Sequence, residues 1–138
     1  MNFNRLIDGY NVMYAGGLAR MRSQNHDFAS CRKRFLKILS AGFSEVERAK
    51  TIVIFDGQTE ITDRDIAEVQ FGLTVQFAGR DEEADDLIRR LIQSHRAPEQ
   101  LFVITSDRSL QTAARRRKAH YRTSTEFWRE LRKEGSGG

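Results

Sequence analysis

Four short stretches of the chain are apolar enough to be strands of a buried sheet: residues 3–7, 51–55 (TIVIF), 73–77 (LTVQF) and 101–105 (LFVIT). The second and fourth are nearly unbroken runs rich in β-branched residues and Phe. Runs of that kind suit strands covered on both faces, as in a parallel sheet. Between the strands, apolar positions recur at helical spacing. Residues 29–48 carry Phe35, Leu36, Ile38, Leu39, Phe43 and Val46, with Gly42 as a late break. Residues 85–95 carry Leu87, Ile88, Leu91 and Ile92, and residues 109–118 carry Leu110, Ala113 and Ala114. A last helix over 124–134 buries Phe127 and Leu131, with Trp128 a further candidate, and the pattern admits a short strand near His120–Arg122. Strands alternating with helices predict an α/β fold: a three-layer α/β/α sandwich with a mostly parallel central sheet.

Length and composition narrow this picture. The 138 residues fit one domain, expected over 1–134, with the closing GSGG (135–138) as a flexible tail. A hydrophobic content of 39% supports a core without disulfides, and Cys31 has no second cysteine to pair with. A reducing, cytoplasmic setting is therefore expected. The start MNFNRLIDGY lacks a basic segment followed by a long apolar one, so it does not read as a secretory signal. No apolar run approaches the ~20 residues that span a bilayer, and no membrane partner is expected. Lys and Arg number 23 against 19 Asp and Glu, a net +4. That excess is modest, but its distribution is informative. Basic residues gather in RKRFLK (32–37) and RRRKAHYR (115–122), while acids sit at strand ends. A basic rim around an acidic centre is an arrangement that holds a polyanion over a metal site.

The acids carry the chemistry. Asp8 follows the first strand in LIDGYN, Asp56 follows the second in TIVIFDG, and Asp107 follows the fourth in LFVITSD. If those strands are parallel, all three carboxylates emerge at one edge of the sheet, outside the strands' carboxyl ends, where α/β folds place their sites. The helix after the third strand starts at the same edge with Asp85 and Asp86. On a helical wheel Asp85 borders the apolar stripe, while Asp86 falls near Arg89 and Arg90, so Asp85 belongs to the cluster and Asp86 stands second. Each acid taken singly also has an ordinary role. Asp8-Gly9 and Asp56-Gly57 are turn dipeptides, Asp85 and Asp86 suit a helix start, Asp86 can pair with Arg90, and Asp107 can cap the next helix. Four on one edge is another matter, because close carboxylates raise one another's pKa unless a cation neutralises them.

Oxygen ligands without Cys or clustered His select Mg²⁺ or Mn²⁺ over zinc. Such a site suits phosphodiester hydrolysis, with the metal activating water and stabilising the leaving oxygen. Asn11, Thr105 and Ser106 are candidates to orient that water or contact phosphate, and each also reads as a turn or cap residue. Tyr10 or Tyr14, beside these acids, can stack on a base, with packing the equal alternative. Arg115, Arg116, Arg117 and Lys118 can grip a phosphate backbone, or simply complement a helix carboxyl end. Arg32, Lys33, Arg34 and Lys37 read as ordinary surface, as do His26, His95 and His120.

In this order, LIDGYNVM, IVIFDG, ADDLIRRLI and VITSDRSLQ resemble the NYN branch of the PIN-like nucleases, and within it the YacP-like proteins. The resemblance covers about residues 5–118, and the final helix fits it. It implies a PIN-like fold, metal-dependent cleavage of RNA by an endoribonuclease, and RNA partners: mRNA or other single-stranded RNA, with the ribosome as a presenting platform. Carried across by motif, Asp8, Asp56, Asp85 and Asp107 are its acids; a further helical acid of such domains falls on Glu82 or Glu83. Two other classes stand beside this one. A non-catalytic RNA- or ribosome-binding module has no use for a repulsive acid cluster. An aspartate-based phosphatase would carry Asp-x-Asp after the first strand, where Asp8 is followed by Gly9 and Tyr10. A receiver domain would carry paired acids at its first strand and a Lys after its last, and neither is evident.

Overall fold

The computed structural model describes residues 3–18, 28–57, 66–79 and 81–136. Six strands form one sheet: β1 (Arg5–Asp8), β2 (Thr51–Phe55), β3 (Ile66–Gln70), β4 (Leu73–Phe77), β5 (Phe102–Ile104) and β6 (His120–Arg122). Their order in space is β3-β4-β2-β1-β5-β6. From β4 to β6 every neighbouring pair is parallel, and β3 joins the edge antiparallel to β4. The register sets Asp8 beside Ile54, Ile7 beside Ile104 and Phe55 beside Phe77. The central strands therefore end together, at one edge.

Alternation along each strand builds two cores. Leu6, Ile52, Ile54 and Val103 face α4 (Ala84–Ser94) and α5 (Arg108–Arg116), where they meet Leu87, Ile88, Ile92, Leu110 and Ala114. Ile7, Val53, Phe55, Val75 and Ile104 face the other way, under α1 (Gly9–Ala15), α2 (Phe28–Gly42) and α6 (Ser124–Ser136). There they meet Val12, Met13, Phe35, Leu39, Phe127 and Trp128. Each fully buried Leu, Ile or Phe contributes ~1.5–3 kcal/mol of transfer free energy. The Trp128 indole N–H also donates to the Val12 carbonyl at 2.6 Å, tying α6 to α1. Strands on both sides covered by helices make the expected three layers.

Several elements differ from the pattern read along the chain. The helix expected over 29–48 is two: α2 ends at Gly42, and Ser44 opens α3 (Glu45–Ala49) with a reciprocal capping box to Glu47. Leu131 packs where a Gly42 Cβ would sit, 2.5 Å from that position. Val46, on α3, is 66% exposed and is no part of the core. Three elements were not expected at all: β3, α1 and a short 3₁₀ turn over Pro98–Gln100. The strand β3 pairs with β4 through Phe71 and Gly72, whose φ angles of 54° and 83° are both left-handed, as a tight hairpin turn of matching twist requires. The short strand near 120–122 is β6, and α6 extends through Ser136, two residues into the expected tail. His95 is not a surface residue. It is half-buried, edge-on to Phe3, with Nε2 on the Phe3 carbonyl (2.6 Å) and Nδ1 accepting from Ala97 N–H (3.0 Å). His120 is exposed and stacks on Phe102; His26 lies outside the described residues.

Candidate active site

Asp8 is itself the last residue of β1, and the chain enters α1 without an intervening turn. Gly9 is needed for close approach: a Cβ there would lie 2.4 Å from a Phe55 ring carbon and 2.7 Å from the Ile54 carbonyl oxygen. Gly57 has the same role, since its Cβ would lie 2.4 Å from the Ala78 carbonyl oxygen. Both Asp-Gly pairs thus mark places where the backbone is pressed against its neighbour, with the acid held just before the contact.

The other acids are fixed by backbone N–H groups on the same edge. Asp56, directly after β2, accepts from Ala84 N–H at 2.7 Å, so it grips the first residue of α4. Asp107 caps α5 by accepting from Leu110 N–H at 3.1 Å. Thr105, fully buried, links two of the four: its hydroxyl donates to Asp8 Oδ2 at 2.8 Å and accepts from Asp107 N–H at 3.0 Å. Asp85 sits in the first turn of α4.

These carboxylates feel one another. Asp8 is 7% exposed, and its pKa is pushed up from 3.8 to about 7. Burial is the main cause; the Thr105 hydroxyl opposes it, and the charges of Asp85, Asp107 and Asp56 add to it. Asp85 is also raised, first by burial, then by Asp107 and Asp56, with Arg89 pulling the other way. The Tyr14 phenol is raised by burial and then by Tyr10 and Asp56. The parallel register sets Asp8, Asp56 and Asp107, the acids read at strand ends, on one edge, and Asp85 in the first turn of α4 is near enough to act on Asp8.

The remaining candidates divide. Asn11 and Ser106 act first within the protein: Asn11 Oδ1 accepts from Ser106 N–H (3.0 Å) and from the Ser124 hydroxyl (2.6 Å), and Ser106 Oγ accepts from Ser124 N–H (3.0 Å). Ser124 is fully buried and completes this clasp between α1, the end of β5 and α6; sequence reading passed over it. Its signal was the Thr123-x-x-Glu126 capping box that fixes the start of α6. The Tyr10 hydroxyl accepts from Arg32 (3.0 Å), its ring is tilted against Phe55, and it lies stacked with the exposed Tyr14 ring. Arg32 therefore belongs to this edge and is not plain surface. Asp86 turns away, with its carboxylate on Glu83 N–H (3.3 Å) and 3.7 Å from Arg89. Arg90 pairs with Glu82 at 2.8 Å, which leaves Glu83 as the neighbour whose charge Asp85 feels.

The basic run lies elsewhere. The helix α5 starts at the carboxylate edge and runs back to the opposite one, where β6 begins beside Phe102. Arg115 and Arg116 are exposed in its last turn. Arg117 is turned inward, its guanidinium donating to the His95 carbonyl and, at 3.5 Å, to that of Ile92. Lys118, at φ 64°, closes the helix in the left-handed position, with Ala119 N–H reaching back to the Ala114 carbonyl.

Among the described residues, no three His, Cys, Asp or Glu side chains already converge as a ligand cage. The donor set nonetheless fits a hard cation. Mg²⁺ keeps most of its waters and is held by one or two carboxylates plus substrate phosphate, not by an all-protein cage. A carboxyl raised by burial, and further by neighbouring carboxylates, is also a group that a cation would return to its ionised form.

A mostly parallel sheet between two helical layers, with four aspartates on the carboxyl edge of its strands, defines a PIN-like α/β/α domain. The chain belongs to the YacP-like NYN domain family, whose model matches residues 5–137. Two crystal structures of Rae1 (YacP) from Bacillus subtilis share the fold, with TM-scores of 0.70 and, for a tryptophan-to-leucine mutant, 0.67. Both are 24% identical to this chain and cover 99% of it, against 77% and 79% of their own length. No curated protein matches the chain.

Proposed function

We propose that this protein is a metal-dependent endoribonuclease that hydrolyses RNA phosphodiester bonds at the edge formed by Asp8, Asp56, Asp85 and Asp107. The observation that carries the reading is the meeting of these acids at one sheet edge, where Thr105 bridges the buried Asp8 to Asp107 and Asp56 holds the first residue of α4 beside Asp85. Membership of the YacP-like NYN family supports a nuclease-type domain that works with RNA and the ribosome. Asp8, Asp56, Asp85 and Asp107 are the residues to hold Mg²⁺ or Mn²⁺. When bound, the ion would neutralise the cluster and supply Lewis-acid activation of water. Asp8 is aimed by the Thr105 hydroxyl and is poised to give up a proton near neutral pH as a cation arrives. Asp56 and Asp107 are held by main-chain donors, so their positions are set by α4 and α5 before substrate arrives. Tyr14, exposed and stacked with Tyr10, offers a ring face to a base of single-stranded RNA.

The test is cleavage of a labelled, unstructured RNA in Mn²⁺, Mg²⁺ or EDTA, with the parent protein beside Asp8→Asn. Cutting that requires metal and Asp8 is the expected result. An Asp8→Asn protein that cuts as fast as the parent would remove Asp8 from the site and the reading with it.

A further inference from the structure

The helices α4 and α5 leave a groove of about 450 Å³ between them on the outside of the domain, lined by Arg89, Gln93, Ser109, Thr112, Ala113, Arg116 and Arg117. The lining contains three arginines and no acid. Its two walls are helical stripes. Asp85, Arg89 and Gln93 follow one another at four-residue steps on α4, and Ser109, Thr112 and Arg116 share a face of α5. One end therefore opens beside Asp85, where Arg89 reaches across to the Ser109 hydroxyl at 2.7 Å. The other end is the arginine run, ~10 Å away along α5.

From this geometry we infer that the α4–α5 groove is a track for single-stranded RNA, leading from the carboxylate edge to Arg116. The inference rests on the nuclease reading for the identity of its polyanion, and it deepens that reading by giving the chain a path. Arg116 supplies the exposed charge for phosphates, and Arg89, bonded to the Ser109 hydroxyl and 3.7 Å from the Asp86 carboxylate, adds a second cation at the acid end. Gln93, Ser109 and Thr112 supply neutral donors, and Arg117 is a fixed positive wall, held by the His95 and Ile92 carbonyls.

The test is binding, not cleavage: fluorescence anisotropy of a labelled single-stranded oligouridylate in EDTA, over a range of salt. Arg116→Glu and Thr112→Glu, both away from the acids, are compared with the parent and with Arg34→Glu. Arg34 is exposed on α2, in the opposite helical layer, and controls for the same change in net charge. Each groove variant is expected to weaken binding about tenfold, and Arg116→Glu also to reduce the salt slope by about 0.7, while Arg34→Glu changes little. Unchanged melting temperatures show that the variants fold. The groove assignment is overturned if the parent does not bind, if groove variants bind as the parent does, or if Arg34→Glu weakens binding as much. It is equally overturned if polyglutamate of matched charge displaces the RNA as readily as unlabelled RNA does, which would give the groove to an acidic protein. Since EDTA removes cleavage, these outcomes are separable from the fate of the nuclease reading, which Asp8→Asn decides.

Discussion

Replacing Asp8 by Asn should stabilise the metal-free protein, and by an amount that grows with pH. Folding raises the pKa of this carboxyl from 3.8 to about 7. The folded state therefore holds the proton more tightly than the unfolded chain does. Stability is undiminished by Asp8 below pH ~4 and is lost progressively as pH rises to 7. That loss amounts to ~2 kcal/mol at pH 5 and ~4 kcal/mol at pH 8. Asn stays neutral and escapes it. The stabilisation that the Thr105 hydroxyl gives the charged form is already contained in that pKa, and Asn, like the protonated acid, keeps a neutral acceptor for the 2.8 Å bond. The net gain is then ~2 kcal/mol at pH 5 and ~4 kcal/mol at pH 8, and for a chain of this size the latter corresponds to roughly 10–15 °C in Tm. Thermal unfolding by circular dichroism in EDTA, at the two pH values, measures it. A variant no more stable than the parent at pH 8, or an advantage that does not grow with pH, would refute the account of Asp8 as a buried, repelled carboxyl. With Mn²⁺ added, the parent should gain Tm and the variant should gain less, because binding to the folded state alone is what stabilises it.

Thr105→Val removes the donor to Asp8 and the acceptor of Asp107 N–H while keeping the shape of the side chain. It should cost about 1–3 kcal/mol through the stranded N–H and weaken Mn²⁺ binding in calorimetry, whereas unchanged metal affinity would make Thr105 a packing residue only. Gly9→Ala should lower Tm by the equivalent of ~1–3 kcal/mol despite alanine's better helix propensity, because the new methyl meets the Ile54 carbonyl, which cannot rotate away. An unchanged or higher Tm would mean that β1 and β2 are less closely held at this edge than their register implies.

What could be read along the chain followed from burial. TIVIF and LFVIT are covered on both faces, so their composition announces strands whatever lies around them, and the acids after them inherit one edge from the parallel register. The edge strand β3 carries no such mark. Its IAEVQ has Glu68 and a 73% exposed Val69, and its turn uses Phe71 where Asn or Asp would have announced a hairpin. Phe71 is held in the left-handed region by contacts from α2: Ser40 donates to its carbonyl at 2.9 Å and the Lys37 ammonium lies 5.8 Å from the ring centre. Tertiary contacts of that kind have no local signature. Helix α1 was hidden differently, since Asp-Gly reads as a turn while the real reason for Gly9 is the Phe55 ring.

Charge was the least legible property, and the reason is geometric. Asp107 and the arginines from Arg115 onward are close in sequence, yet α5 carries them to opposite edges of the sheet. A rim of cations around the acids was therefore the wrong picture for this run. Arg32, which read as plain surface, reaches the acid edge through Tyr10 because α2 packs back over β2 and β4. For the arginine run to act on RNA cut at the aspartates, the RNA must cross the ~10 Å between them. The α4–α5 groove is the basic, acid-free surface that spans that distance. If the proposed nuclease and track both hold, the two ends of α5 serve one substrate: its capped start fixes Asp107 at the carboxylate edge, and its last turn would receive the phosphates that lie beyond the cut.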